Sequence, residues 1–288
     1  MNFIRLTLLF FKFAITLLAT NDGRTRFQLC NYLEASVLYG KGHVGPTKVS
    51  FCDLGGYLLE IVGVINNNKE RLISGTSVLT IPETMIQSNK IKIPDGSANI
   101  LVDNSNGRIA VTTSTGTKKV VALRVIAIEN TRSGTYTYTE TAAPKSDLSD
   151  EIFGIDDDPF NMKSQFKACS HRKLKMKAFS GTTTSGEKIK DEVGEVEIVG
   201  NITGVDVFDV QNLVIAVADE KYGSLVAQFD HVLLCLPYGT VMTNSTGPDD
   251  YDWIAYGYYD HYLTVYNDKW VSSSFIVILS SSLTFRMI

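Results

Sequence analysis

From Cys30 to about Ile128 the chain alternates short β-branched apolar runs with clusters of turn formers. The runs are "GYLLEIVGVI", "RLISGTSVLTI", "KIKI", "ANILVD" and "GRIAVTTS". Between them stand Asn66-Asn67-Asn68, Pro94-Asp95-Gly96 and the stretch from Asp103 to Gly107. Apolar runs of this length, bounded by Gly, Pro and Asn, predict strands. "ILVDNSNGRIAV" predicts a hairpin. This part has no helical period, so a small all-β module is expected over 29–116.

The pattern changes at "KKVVALRVIAIEN". Val120 to Ile128 is almost continuously apolar, as expected of a strand buried on both faces of a central sheet. A polar connector follows, "TRSGTYTYTETAAPKSDLSDEIFGIDDDP". Asp158-Pro159 then predicts a helix start, with a capping carboxylate before a first-turn proline, and "FNMKSQFKACS" continues that helix to about Ser170. "KLKMKAF" and "GEVEIVGNI" predict strands. The clearest helix is "DVFDVQNLVIAVADEKYG": Val210, Leu213, Val214, Val217 and Ala218 recur at helical spacing, Asp206 is the candidate N-cap and Gly223 the stop. "FDHVLLCLP" predicts a buried strand and "WIAYGYYDHYLTVYND" a pair of strands. Strand, helix, strand, helix, strand is an α/β order.

Length and composition agree with a globular chain. Its 288 residues suffice for two cores, with 44% hydrophobic and 20% charged residues. A formal net charge of -4 excludes a general nucleic-acid binder, which must neutralise many phosphates. The basic stretch from His171 to Lys177 alternates charge with apolar residues from Lys173 on, which predicts one solvated strand face. At the N-terminus, "MNFIRLTLLFFKFAITLLAT" has a basic start and an apolar run too short and too interrupted by Lys12 for a stable membrane span. It reads as an export signal over 1–20, so a secreted protein is expected. Asn201-Ile202-Thr203 and Asn244-Ser245-Thr246 are N-glycosylation acceptor sequences. The four cysteines, Cys30, Cys52, Cys169 and Cys235, are widely spaced without a C-x-x-C. They suit one disulfide in each half, Cys30–Cys52 and Cys169–Cys235, although four cysteines permit three pairings.

No motif declares a chemistry. The four histidines, His43, His171, His231 and His261, include no pair four apart, so no helix presents two imidazoles to a metal. His231, inside an apolar strand, is expected to be a hydrogen-bonded core residue. No serine lies in a G-x-S-x-G turn. Asp156-Asp157-Asp158 lacks the alternate spacing of a calcium loop. No catalytic, cofactor-binding or metal-ligating residue is therefore assigned.

Four blocks in order, "TKKVVALRVIA", "LSDEIFGIDDDPFNMKSQFKACSHRKLKM", "QFDHVLLCLPYGT" and "WIAYGYYDHYLTVYNDKW", resemble the gametolysin family of secreted algal and diatom zinc metallopeptidases. The resemblance covers about 117–270. It implies a metzincin-like catalytic-domain N-terminal part over 117–270, preceded by a β-rich, propeptide-like module, an α/β fold overall. It also implies proteolysis of extracellular or cell-wall proteins, with a protein substrate or cell-wall glycoprotein as partner and zinc as cofactor of full-length members. In the family, the Tyr-rich strands run into a Cys and then an H-E-x-x-H helix. Here Val271 stands in place of the Cys, and 271–288, "VSSSFIVILSSSLTFRMI", reads as an aberrant tail. The expectation is a chain truncated before its zinc ligands and catalytic Glu, binding no zinc and inactive as given. The alternative is a non-catalytic secreted pseudo-peptidase that binds a protein or cell-wall polymer through Tyr251, Tyr256, Tyr258, Tyr259, Tyr262 and Tyr266.

Overall fold

A computed structural model describes residues 27–39, 47–54, 57–63, 72, 74, 77–87, 90–93, 101–103, 115–130, 136–140, 143–154, 161–190, 192–242, 253–259 and 261–267. The first half contributes β1 (Phe27–Tyr39), β2 (Thr47–Asp53), β3 (Leu58–Val62), β4 (Val78–Pro82), β5 (Ile86–Gln87), β6 (Lys90–Lys92) and β7 (Leu101–Asp103). Then come β8 (Gly116–Asn130), β9 (Tyr136–Glu140), α1 (Lys145–Phe153), α2 (Met162–Cys169) and β10 (Leu174–Ala178). A small hairpin of β11 (Gly181–Thr182) and β12 (Lys188–Ile189) leads to β13 (Val193–Val199). The remaining elements are α3 (Val207–Tyr222), α4 (Leu225–Gln228), β14 (His231–Leu236), β15 (Trp253–Tyr258) and β16 (Leu263–Asn267). The fold is mixed α/β, dominated by one large sheet.

The apolar run of β8 becomes the strand that organises the second half. Val121, Leu123, Val125 and Ala127 face the core under α3, while Val120 and Ala122 face the core under α1 and α2. One edge of β8 pairs in parallel first with β10 and then with β13; the other pairs in parallel with β14 and then antiparallel with β9. Beyond β14 the sheet continues through β16 and β15. The alternation in "KLKMKAF" holds: Leu174 and Met176 are buried, and Lys173, Lys175 and Lys177 are exposed.

The sheet does not stop at the expected boundary near residue 116. β1 pairs antiparallel with β15, Ala35 opposite Tyr258 and Val37 opposite Tyr256, and also with β2 and β4. Leu33, Ala35, Val37, Phe51 and Leu58 therefore share the α3-side core with Phe208, Val214 and Tyr256. Phe51 meets Phe208 and Tyr258 edge-on, at centroid separations of 4.7 and 5.2 Å. Asn212 of α3 completes the backbone of β3: its Nδ2 donates to Leu58 O at 2.9 Å, and its Oδ1 accepts from Leu58 N at 3.4 Å. Lys90 ties the same parts by charge, 2.8 Å from the buried Glu60 carboxylate and 3.6 Å from Asp206 at the start of α3. Among the described residues, the far end of the β-rich part, around Cys30, Cys52, Leu79 and Ile91, has a core of its own.

Several local expectations change. α2 is capped by Asn161, not Asp158: its Oδ1 accepts from Ser164 N at 2.8 Å while Ser164 Oγ accepts from Asn161 N at 3.2 Å, a reciprocal capping box. Helix α1 lies inside the segment expected to be a connector. Leu148, Ile152 and Phe153 fall on one face and are buried, and Gly154, with φ of 66°, ends it in the left-handed region. Helix α3 has its expected N-cap, Asp206 accepting from Phe208 N at 2.9 Å. Its buried stripe, however, runs through Val207, Val210, Gln211, Val214, Ala218 and Tyr222, leaving Leu213 exposed. The second arm of the expected hairpin, at 107–114, lies outside the described residues.

Because the α3-side core draws on both halves, a protease nick engineered between Asp103 and Gly116 should leave the two fragments associated. They should co-elute in size-exclusion chromatography under native conditions; separate elution would show that the β-rich part is an independent module.

Candidate functional site

The Tyr-rich strands are the segment that the resemblance runs through, and they lie at the middle of the sheet. β15 and β16 pair antiparallel, Tyr256 opposite Val265, and β16 pairs in parallel with β14, Cys235 opposite Tyr266. Every residue of the two strands is buried. Tyr256 and Tyr258 project into the α3-side core and Ala255 and Tyr266 into the α1/α2-side core; a register irregularity against β1 between Leu38 and Tyr39 breaks the alternation, so that Trp253 joins the first core and Ile254 the second. The end of β16 is fastened to the start of β15: Asn267 Nδ2 donates to Trp253 O at 2.9 Å, and Trp253 Nε1 donates to Thr240 O at 3.1 Å.

These positions bear on the expected binding surface, half of whose tyrosines strand alternation already assigns to the core. Tyr256, Tyr258 and Tyr266 are core residues at 0%, 0% and 3% exposure; Tyr259 and Tyr262 are half-buried, and Tyr251 lies outside the described residues. Alternation would have left half of them exposed. A strand buried on both faces leaves none.

A buried polar cluster takes the place of that surface. Gln211, fully buried on α3, accepts with Oε1 from the hydroxyls of both Tyr256 and Tyr258, each at 2.9 Å. Its Nε2 finds no partner among the described residues. Burial raises both phenols well above their ordinary pKa, so they are neutral donors at any physiological pH. Next to them the His261 ring contacts Tyr258 edge-on at 5.2 Å and Tyr262 at 4.5 Å. Its Nδ1 is buried without a partner among the described residues, and burial lowers its pKa to about 4, against the opposing pull of Asp53. His231 behaves as expected of a core residue: it is 5% exposed, lies 2.9 Å from Thr264 Oγ1, and is lowered to about 3 by burial and then by His261.

A second polar pair crosses β8 on its other face. Arg124, 8% exposed, donates from Nη1 to Glu195 Oε1 at 3.1 Å and from Nε to Ala143 O at 3.2 Å. Glu195 lies opposite it on β13. The backbone of Glu195 also holds Tyr222, whose hydroxyl accepts from Glu195 N at 2.9 Å and donates to Glu195 O at 2.6 Å. That approach needs Gly194, because a Cβ there would stand 2.7 Å from a Leu123 methyl and 3.1 Å from the Tyr222 hydroxyl.

The cysteines divide. Cys30 and Cys52 form the expected disulfide. The expected Cys169–Cys235 bridge is corrected: Cys235 is a buried thiol. The backbone explains why. Cys169 adjoins Ser170, whose Oγ accepts from Leu174 N at 3.0 Å, and Leu174 lies opposite Gly116. Cys235 lies opposite Arg124, eight positions further along β8, or roughly 26 Å at the rise of a strand. A disulfide needs Cα atoms within about 7 Å. Of the acceptor asparagines, Asn201 is exposed, with Oδ1 accepting from Thr203 N at 2.8 Å; Asn244, like His43 and Asp156 to Asp158, lies outside the described residues.

Gln211 and Arg124 are the polar residues that sequence reasoning missed. Each had a signal: Gln211 falls on the apolar stripe of its helix, and Arg124 interrupts the apolar run of β8. Among the described residues no three His, Cys, Asp or Glu side chains converge as a metal site. No helix among them is long and apolar enough to cross a membrane. The residues thus define a mixed α/β protein whose central strands enclose a neutral tyrosine–glutamine cluster. No protein-family model, curated protein or solved structure matches the chain.

Replacing Gln211 with Leu should destabilise the fold by about 2–4 kcal/mol, because two buried hydroxyls lose their acceptor. Adding Tyr256→Phe and Tyr258→Phe should recover much of that loss in urea titrations; no recovery would mean that packing around Gln211, not the hydrogen bonds, is what matters.

Both buried histidines carry depressed pKa values, about 3 and about 4 against 6.5 unfolded. Between these limits the unfolded chain binds more protons, so their contribution is present above pH 6.5 and is lost as pH falls toward 4. The urea midpoint should drop from pH 7 to pH 4.5, and His261→Phe should flatten that slope.

Proposed function

We propose that this chain is the sheet-forming part of a gametolysin-type secreted zinc metalloendopeptidase, together with its propeptide-like β-rich part, and that it carries no zinc centre of its own. The observation that carries the reading is the Tyr-rich pair β15–β16, seated beside β14 with its last residue, Asn267, donating to Trp253 O at the start of β15. The blocks of the resemblance contribute β8, β10, β14, β15 and β16 to one sheet, with α1 and α2 packed on it, and by the resemblance an active-site helix would follow β16. The Cys30–Cys52 disulfide supports export to an oxidising compartment.

Among the described residues, the histidines do not fit zinc. His171 is exposed on the turn after α2, His231 is engaged with Thr264, and His261 lies between tyrosines. No catalytic step can be assigned to these side chains. The substrate class, extracellular or cell-wall glycoproteins, is an analogy with the family. The pseudo-peptidase alternative loses its main contact residues, because Tyr256, Tyr258 and Tyr266 are buried.

Sequencing the full-length transcript across the Trp270 codon tests the proposal: it should read on into a Cys and an H-E-x-x-H helix. A message ending at the Ile288 codon would overturn the zinc-peptidase reading. The 288-residue chain itself should take up no stoichiometric zinc in equilibrium dialysis and cleave no casein, while a product extended through such a helix should do both.

A further inference from the structure

We propose that β10 is a docking edge for an extended acidic peptide, which adds as a strand beside it. β10 is the last strand at its end of the sheet, with β8 as its strand partner among the described residues. The ladder shows which backbone groups point outward. Gly116 N donates to Lys173 O at 2.7 Å and Phe179 N donates to Val120 O at 2.8 Å. In a parallel pair, alternate residues bond the same neighbour, so Lys175 and Lys177 face β8. Leu174, Met176 and Ala178 face away from it. Leu174 N donates to Ser170 Oγ at 3.0 Å and Leu174 O accepts from the same hydroxyl at 3.5 Å; among the described residues that leaves both groups of Met176 and Ala178 N–H for a further strand.

The side chains specify what would pair there. Lys175 lies opposite Thr117 and Lys177 opposite Lys119; all four are exposed on the same sheet face. Lys173 extends the strip. Lys119 is held over the Phe179 and Phe229 rings at 5.5 and 5.8 Å. Asp230 sits beside this strip, 3.7 Å from Lys118 Nζ and accepting from Lys119 N at 2.7 Å. On the opposite face Leu174 and Met176 are buried against α2 and its neighbours.

A strand laid along this edge has its neighbouring side chains about 5 Å from those of β10. It therefore meets ammonium groups on one face and an apolar border on the other, which selects carboxylates at alternate positions with apolar residues between. Lysines on an edge strand also oppose pairing of β10 with a second copy of itself. The same charges that block self-association favour an acidic partner, with main-chain hydrogen bonds giving affinity and side chains giving selectivity.

The test uses the full chain and a labelled, end-capped peptide of alternating glutamate and valine, followed by fluorescence anisotropy and amide hydrogen exchange. The peptide should bind in low salt and slow the exchange of Met176 N–H and Ala178 N–H. Lys175→Glu with Lys177→Glu should weaken binding at least about tenfold. Ala178→Pro removes only an outward-facing donor and should weaken it similarly, with the melting curve unchanged. Absence of binding would overturn the proposal. So would polyglutamate binding equally well, or full binding by Ala178→Pro, since either would reduce the strip to charge attraction alone. The exchange measurement on the unaltered chain decides the matter even if a variant fails to fold.

Discussion

The antiparallel pairing of β1 with β15 is the constraint on which the rest of this structure depends. It merges two sets of strands from opposite ends of the chain into one sheet. The core under α3 is consequently built from both, and Asn212, Lys90 and the Phe51–Phe208 contact reinforce the join. Without β1, the edge of β15 would present unpaired backbone groups, and the buried tyrosines would lose one wall of their enclosure. Burying Tyr256 and Tyr258 in turn requires an acceptor inside the core, and Gln211 supplies it from a helix that would otherwise show a wholly apolar stripe.

Much of the second half was legible in the sequence because its elements have strong periodicity. The apolar run of β8, the alternation of β10, the N-cap of α3 and the buried setting of His231 all follow from residue pattern. What was not legible depended on tertiary partners. Pattern alone could not show that strands on either side of residue 116 belong to one sheet, since β-propensity does not name a partner. Helix α1 was hidden because its three apolar residues sit among serines and acids; burial against the sheet decides it, not propensity. Strand alternation assigns half of the tyrosines to the core; what pattern could not show is that β15 has a core on each side. The second disulfide failed because cysteine count carries no information on register.

The candidate site was less legible than the fold, for a physical reason. Motif reading looks for nucleophiles, metal ligands and phosphate cradles. The buried polar residues are instead mostly neutral hydroxyls, amides and imidazoles, with Arg124 and Glu60 held in ion pairs. A core of this kind fixes register: shifting β15 by one residue against β1 would turn Tyr256 and Tyr258 to the other face and strand Gln211. The Gln211 acceptor accounts for how β15 can bury two tyrosines side by side in this register.

The pairing of β1 with β15 also sets a timetable. Ser36 and Tyr259, whose hydroxyls meet at 2.8 Å, are 223 residues apart in sequence. At ribosomal speeds the later segment emerges on the order of ten to forty-five seconds after the earlier one. Throughout that interval Leu33, Val37 and Phe51 lack the part of their cover that β15 and α3 supply, and exposed apolar strands of this kind are open to wrong pairing. The protein is thus one whose first strand is synthesised early and becomes useful last.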